Sequence, residues 1–277
     1  AHGFNGVVSI LDPPNDIPAD VAEEVAAARE RLIEAAAEND ENLGDRYLNG
    51  EEISPEEIIT AVRAAVLAGD LVPILATSSV PDPIGIAELL DITRSFLPSP
   101  IDGQHTEVFK GRDVTEYESE PASPLAAFVF KTTADPFVGK LSVFRVYQGT
   151  IKSNSEVWNS NRERPERIGQ LYLPKGKNQE NVAEITAGDI GAIGKLSETL
   201  TGDTISAKDN QVTFAKIKQP LGFFRMAVSP TTKGDLDKMS MAFSRIMEED
   251  PTLHFSRDAS TSESLVTGLG DPQIEVA

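Results

Sequence analysis

Apolar residues fall into three successive spacings along this 277-residue chain, and that succession limits the folds open to it more than any other feature. Up to about residue 100 they recur mainly at helical intervals. From Pro124 they fall into short runs parted by turn residues, and after Pro220 strand, helix and strand patterns alternate. No single architecture serves all three patterns. The expected fold class is therefore multidomain: α/β, then all-β, then α+β.

The first stretch carries clear helix punctuation. Asp20 with Glu23 reads as a capping box ahead of Val21, Val25, Ala28, Leu32 and Ala36. Ser54-Pro55-Glu56-Glu57 combines an N-cap, a Pro at the first position and an acid at the third, and Gly69 ends the helix. Leu71-Val72-Pro73-Ile74-Leu75-Ala76 is apolar throughout, which predicts a buried interior strand of a parallel sheet. A helix from about Gly85 to Phe96 follows, stopped by Pro98 and Pro100. Together these read as the tail of an α/β domain covering residues 1–100. Residues 101–122 are polar and aperiodic, and read as a linker.

Residues 123–215 hold six candidate strands: Leu125–Lys131, Leu141–Tyr147, Glu156–Asn159, Arg167–Leu173, Val182–Thr186 and Ile190–Leu196. Asp135-Pro136, Gly149, Ser153-Asn154-Ser155, Pro174-Lys175-Gly176, Gly188-Asp189 and Gly202-Asp203 break them. Short strands at such spacing predict a small closed barrel. Residues 216–277 run strand (Phe223–Val228), helix (Asp235–Glu249), strand (Leu253–Arg257) and strand (Ser264–Thr267). That is the front of a ferredoxin-like split βαβ fold, and a chain ending at Ala277 would truncate it.

Charge is uneven. Lys and Arg number 25 against 44 Asp and Glu, a net −19. Residues 1–100 hold 5 basic and 19 acidic residues, a net −14. General affinity for nucleic-acid backbone is unfavourable under such a field, which argues against DNA as a partner. Locally the sign reverses: Lys140, Arg145, Lys152, Arg162, Arg164, Arg167, Lys175 and Lys177 face only Glu156, Glu163 and Glu166 over the same stretch. That strip is either a solvated strand face or a dock for structured RNA phosphates. No apolar run approaches the ~18 residues that cross a bilayer. Without Cys, disulfides, thiolate metal sites and cysteine nucleophiles are excluded.

Motifs of catalysis are lacking from the string. It holds no Gly-x4-Gly-Lys-Ser/Thr loop and no Gly-x-Ser-x-Gly elbow. His2, His105 and His254 are scattered at no metal-ligand spacing, so no metal site is expected. The Glu pairs at 51–52, 56–57 and 248–249 sit at helix ends, where solvated faces explain them better than acid–base chemistry. On these grounds alone the chain is a multidomain binding protein.

Specific strings carry the reading further. Asp135-Pro136-Phe137-Val138-Gly139-Lys140-Leu141 and Phe144-Arg145-Val146-Tyr147-Gln148-Gly149-Thr150 resemble the second-domain signature of translation elongation factor G. Ala187-Gly188-Asp189-Ile190-Gly191-Ala192 and Thr201-Gly202-Asp203-Thr204 resemble later strands of that barrel. Glu248-Glu249-Asp250-Pro251-Thr252 and Gly268-Leu269-Gly270-Asp271 resemble its third domain. Upstream, Phe4-Asn5-Gly6-Val7-Val8, Ile17-Pro18-Ala19-Asp20, Arg31-Leu32-Ile33-Glu34-Ala35 and Tyr47-Leu48-Asn49-Gly50-Glu51-Glu52 resemble the insert of its GTP-binding domain. The short Leu11-Asp12-Pro13-Pro14-Asn15 join, where the family has a longer loop, points to an omitted segment.

The resemblance implies a layout and a function. Residues 1–100 would be the insert and C-terminal end of a P-loop GTPase domain, residues 123–215 the barrel, and residues 216–277 a truncated third domain. The intact family is a cytoplasmic, ribosome-dependent GTPase that uses GTP and Mg²⁺ and promotes movement of tRNA and mRNA; relatives recycle or protect ribosomes. A non-enzymatic ribosome-binding module is the remaining alternative. Thr77, Ser78 and Ser79 match the motif that meets the guanine base, with Ser79 where the family has Ala and with Pro81 and Pro83 following. The phosphate loop, switch regions and Asn-Lys-x-Asp motif would precede Ala1, so no catalytic residue is expected here. The barrel strip would meet ribosomal RNA, and the acidic insert would meet stalk proteins. In the third domain Gly268-Leu269-Gly270-Asp271-Pro272-Gln273-Ile274-Glu275 departs from the family's Gly-Met-Gly-Glu-Leu-His-Leu-Glu, which points to a diverged paralogue.

Overall fold

The computed structural model describes all residues except 1–3, 39, 52, 81–82, 104–105, 136–138 and 177. It divides into two compact units, Ala1–Ser99 and Pro100–Ala277.

In the first unit, α1 (Ala22–Ala37), α2 (Glu41–Leu48), α3 (Pro55–Ala68) and α4 (Ile86–Phe96) share a core of Ala36, Leu43, Ile58, Val62 and Phe96. The α3 start is as its residues require. Ser54 Oγ accepts the Glu57 N–H at 3.3 Å, Glu57 Oε2 accepts the Ser54 N–H at 2.9 Å, and Gly69 closes the helix at φ 86°. The box expected at Asp20 and Glu23 does not form. A turn in which the Val21 N–H bonds the Pro18 carbonyl pushes the N-cap to Val21, which has no side-chain acceptor to offer. Asp40 instead caps α2, accepting the N–H groups of Asn42 and Leu43.

Leu71–Ala76 is a second departure from expectation. The run is extended but unpaired among the described residues, with Val72 77% and Ile74 95% exposed. Only Leu71, Pro73 and Leu75 turn toward the unit, so half of an apolar run that reads as doubly buried faces outward.

The second unit opens with a hairpin where a linker is expected. β1 (Thr106–Lys110) and β2 (Asp113–Tyr117) turn at Gly111, and β1 also pairs with β13 (Thr213–Phe214). Val108 is fully buried with Ala126, Phe128, Val212 and Phe214. Burial of that one valine and backbone pairing on both sides hold the stretch in place, although its composition is polar.

The barrel strands are β3 (Ala126–Asp135), β4 (Gly139–Gln148), β5 (Thr150–Lys152), β6 (Glu156–Asn159), β7 (Arg164–Arg167), β8 (Leu171–Lys175), β9 (Asn178–Val182), β10 (Glu184–Thr186), β11 (Ile190–Gly194) and β12 (Thr204–Ser206). Eight form one antiparallel sheet, ordered β7-β6-β12-β3-β4-β11-β8-β9, while β5 pairs with β10. Val129, Phe144, Ile151, Ile168, Leu171, Ile193 and Ile205 make a single core. Ile168 follows one edge strand and Leu171 lies near the other edge, so the sheet curls until its ends share that core. The expected strand Arg167–Leu173 is thus two strands, joined by Ile168-Gly169-Gln170 across the seam.

β14 (Phe224–Val228), α5 (Leu236–Glu249), β15 (His254–Arg257), β16 (Ser264–Gly268) and α6 (Asp271–Val276) complete the chain. The sheet order β14-β16-β15 places the third strand centrally, as a split βαβ unit demands. Phe243 of α5 stacks on Phe255 with ring centres 4.8 Å apart. The end of β3 and the start of β4 meet the end of α5, where Glu249 accepts the Ala134 N–H at 3.0 Å and Glu248 pairs with Lys140 at 3.4 Å.

Candidate nucleic-acid interface

A cation held by a buried carboxylate is costly to turn toward a phosphate, whereas an exposed ion pair is weak and exchanges, so the partners of the basic strip bear on its use. Lys140 on β4 is tied to Glu248 at 3.4 Å. Arg162 Nε donates to Asp203 Oδ2 at 3.0 Å, Arg164 pairs with Glu198 at 3.4 Å, and Lys175 meets Glu180 at 2.5 Å. Lys177 lies outside the described residues. That leaves Arg145, Lys152 and Arg167 without an ion pair among the described residues, although Glu184 stands opposite Lys152 and Glu156 opposite Arg167 on the paired strands. Strand pairing divides the strip: Lys140 and Arg145 lie on central β4, Lys152 on β5 outside the eight-stranded sheet, and Arg164, Arg167 and Lys175 on β7 and β8.

Arg145 is half-buried on β4, its guanidinium carbon 5.2 Å from the Tyr147 ring centre and its Nε buried without a hydrogen bond. It lines a cavity of about 540 Å³ with Thr106, Tyr117 and Gly188. Arg162 is positioned by a buried polar network. Asp203, itself 4% exposed, accepts from Arg162, from Asn159 Nδ2 at 3.1 Å and from the Leu200 N–H at 3.0 Å. Glu166, also 4% exposed, accepts the N–H groups of Glu198 and Thr199 at 2.7 and 2.9 Å and the Thr199 hydroxyl at 3.1 Å. These two carboxylates hold the 197–203 loop against β6 and β7.

Two segments outside the strip bear on function. Ser78 forms an isolated bridge with Ile84, and its hydroxyl donates to the Val80 carbonyl at 2.9 Å. Thr77 and Ser79 are exposed beside it, and neither spends its N–H on a protein acceptor among the described residues. Gly85 starts α4 at φ +72°, where an added Cβ would lie 2.5 Å from the Ala76 carbonyl oxygen, so the loop closes tightly on the helix. In the third domain Gln273 Nε2 donates to Asp250 and Thr252, both at 2.7 Å. Burial pushes the Asp250 carboxyl up, but the bonds from Thr252 and Gln273 outweigh it and leave the group below the usual carboxylate range. Among the described residues no cluster of three or more His, Asp or Glu has the arrangement of a metal site.

Residues 124–208 match the family model for elongation factor G domain 2, and residues 219–277 match that for elongation factor G domain III. The chain belongs to the elongation factor G family. The curled sheet and the βαββ unit are thus the family's second and third domains, in family order. A crystal structure from Thermus thermophilus is similar with a TM-score of 0.75 and 27% identity, over 98% of this chain and 40% of that one. The chain spans about two fifths of that relative's length. No helix among the described residues is long and apolar enough to cross a membrane.

One cation escapes the sequence reading. Lys195 lies beyond the basic strip, in the Gly194-Lys195 step after β11, and has φ +63°. A positive φ at a non-glycine residue is the structural signal that marks it, and no sequence pattern does.

Proposed function

We propose that the chain works within a ribosome-dependent translational GTPase that promotes translocation of tRNA and mRNA, its barrel and third domain forming part of the surface that docks on the ribosome. The succession of the two domain matches, barrel then βαββ unit, carries this reading. GTP or GDP with Mg²⁺ would be the cofactors of the whole protein. The share of this chain is the guanine side of the base site at Thr77–Ser79, through backbone N–H groups, since the Ser78 hydroxyl is already engaged. The acidic helical unit suits basic ribosomal stalk proteins, and the barrel suits ribosomal RNA. The cytoplasm is the matching compartment.

Co-sedimentation of the chain with ribosomes over a salt series tests the reading. Binding that weakens as salt rises is the expected result, because phosphate contacts release counterions. Failure to sediment with ribosomes even at low salt would overturn it. Gln273 favours a second reading, a paralogue serving ribosome recycling or protection. It stands where the family has His and is fully engaged inside its own domain, with Asp250, Thr252 and the Leu269 N–H.

A further inference from the structure

Asparagine precedes glycine at two places in the chain, Asn5-Gly6 and Asn49-Gly50, and the fold treats the two differently. An Asn-Gly step can close on itself when the glycine nitrogen attacks the asparagine side-chain carbonyl carbon. Glycine permits this because no Cβ crowds the approach and its backbone turns freely. Closure needs a backbone N–H that is not spent in a hydrogen bond. It also needs an asparagine ψ that swings the next nitrogen toward Cγ.

At Asn49 neither condition is met. The Gly50 N–H donates to the Tyr47 carbonyl at 3.0 Å, and Tyr47 packs on the core of its unit, which anchors the turn. Asn49 ends α2 at φ −78° and ψ −4°, its own N–H bonded to the Asp45 carbonyl. Such a ψ eclipses the next nitrogen with the residue's own nitrogen, away from Cβ. At Asn5 both conditions are open. Asn5 and Gly6 are exposed and outside any helix or strand, so no ladder fixes ψ, and the Gly6 N–H meets no protein acceptor among the described residues. The Asn5 amide makes no hydrogen bond among them either, and nothing lies within 4 Å of where a Cβ on Gly6 would stand.

We propose that Asn5 is a site of spontaneous deamidation, through a succinimide formed with Gly6, and that the fold protects Asn49 from the same reaction. The Gly6 nitrogen bonds to Asn5 Cγ and gives up its proton, while the Cγ–Nδ2 bond breaks and ammonia leaves. Water then opens the ring at either carbonyl, giving aspartate or isoaspartate, with no change of oxidation state. Each product replaces a neutral amide with a carboxylate, and isoaspartate also routes the main chain through Cβ and Cγ. The change falls beside Val7 and Val8, which line a largely apolar cavity of about 660 Å³ with Ile74 and Phe96. It therefore brings a charge to an apolar rim, and it does not depend on the ribosomal reading.

The test incubates the full chain in mildly alkaline buffer, maps its tryptic peptides by mass spectrometry and labels isoaspartate with a protein isoaspartyl methyltransferase. Residues 1–29 form the peptide that holds Asn5, and residues 47–63 the one that holds Asn49. Fragmentation of the first distinguishes Asn5 from Asn15. Asn5 should convert on the order of tenfold faster than Asn49 in the folded chain, because the turn at Asn49 must open before it reacts. Gly6→Ala should slow conversion at Asn5 on the order of tenfold. Thermal unfolding of that variant should not change, since the added methyl meets no neighbour. Denaturant should raise Asn49 to the rate of Asn5 and leave Asn5 little altered. Equal rates at the two sites in the folded chain, or a faster Asn49, would overturn the proposal. A Gly6→Ala variant that converts as fast as the unsubstituted chain would overturn the succinimide route, and an Asn5 that reacts only in denaturant would overturn the site.

Discussion

Glu57 does two jobs with one carboxylate, and its acidity records them. The Arg46 guanidinium bond at 2.6 Å is the main cause, followed by the backbone and side-chain bonds with Ser54, and the carboxyl drops from its ordinary 4.5 to about 2. A depressed carboxylate stabilises the fold fully above pH 4.5. That stabilisation shrinks as pH falls and is gone once the folded group titrates near 2. A carboxyl-carbon titration followed by NMR should place Glu57 well below the usual glutamate range, at about 2. Glu57→Gln should flatten the acid limb of the stability curve between those limits. Ser54→Ala, which removes the cap itself, should cost about 1 kcal/mol in chemical denaturation. These residues were legible in the sequence because Ser-Pro-Glu-Glu acts within one turn of chain. Arg46 as the partner was not, since only the packing of α2 beside α3 brings it near.

Among the elements, the 197–203 loop shows how a segment without regular structure is held. Glu166 on β7 supplies acceptors for Glu198 and Thr199, and Asp203 returns from the far end of the loop to Asn159 and Arg162. Glu166→Ala leaves buried N–H groups without partners, and should cost about 3 kcal/mol, read as a lower denaturant midpoint with an unchanged slope. The same scale explains where expectation and structure part. Residues 101–122 look like a linker because Glu and Asp dominate them, yet pairing of β1 with both β2 and β13 makes them a packed hairpin. Leu71–Ala76 looks like a buried strand because it is apolar on both sides, yet none of the described residues supplies a paired neighbour. Composition speaks for burial only when a partner surface is present, and no single segment encodes its partner.

At the scale of the molecule, charge and layout are separable. The unit Ala1–Ser99 carries most of the acidic excess, so under the proposed function it is the unit whose charge suits basic partners, while the other unit is nearer to neutral. The string contains no phosphate loop, and phosphate positioning with Mg²⁺ is the engine of GTP hydrolysis. Calorimetry on this chain should therefore give no micromolar dissociation constant for GDP, and such a constant would revise the guanine-side role of Thr77–Ser79 upward.

The amino-acid string by itself determined the caps of α3, most barrel strands, the order of barrel and βαββ unit, and the family, because these depend on periodicity and on signals within a few residues. The α/β pattern expected of residues 1–100 is not among them, since the described residues there form helices and no sheet. Only the tertiary structure decided which cations stay free. Lys140, Arg162 and Arg164 find carboxylates from other elements, whereas Arg167 and Lys195 line one cavity across a seam that exists only when the sheet curls. Pairing between distant strands sets that outcome, and charge along the chain carries no record of it.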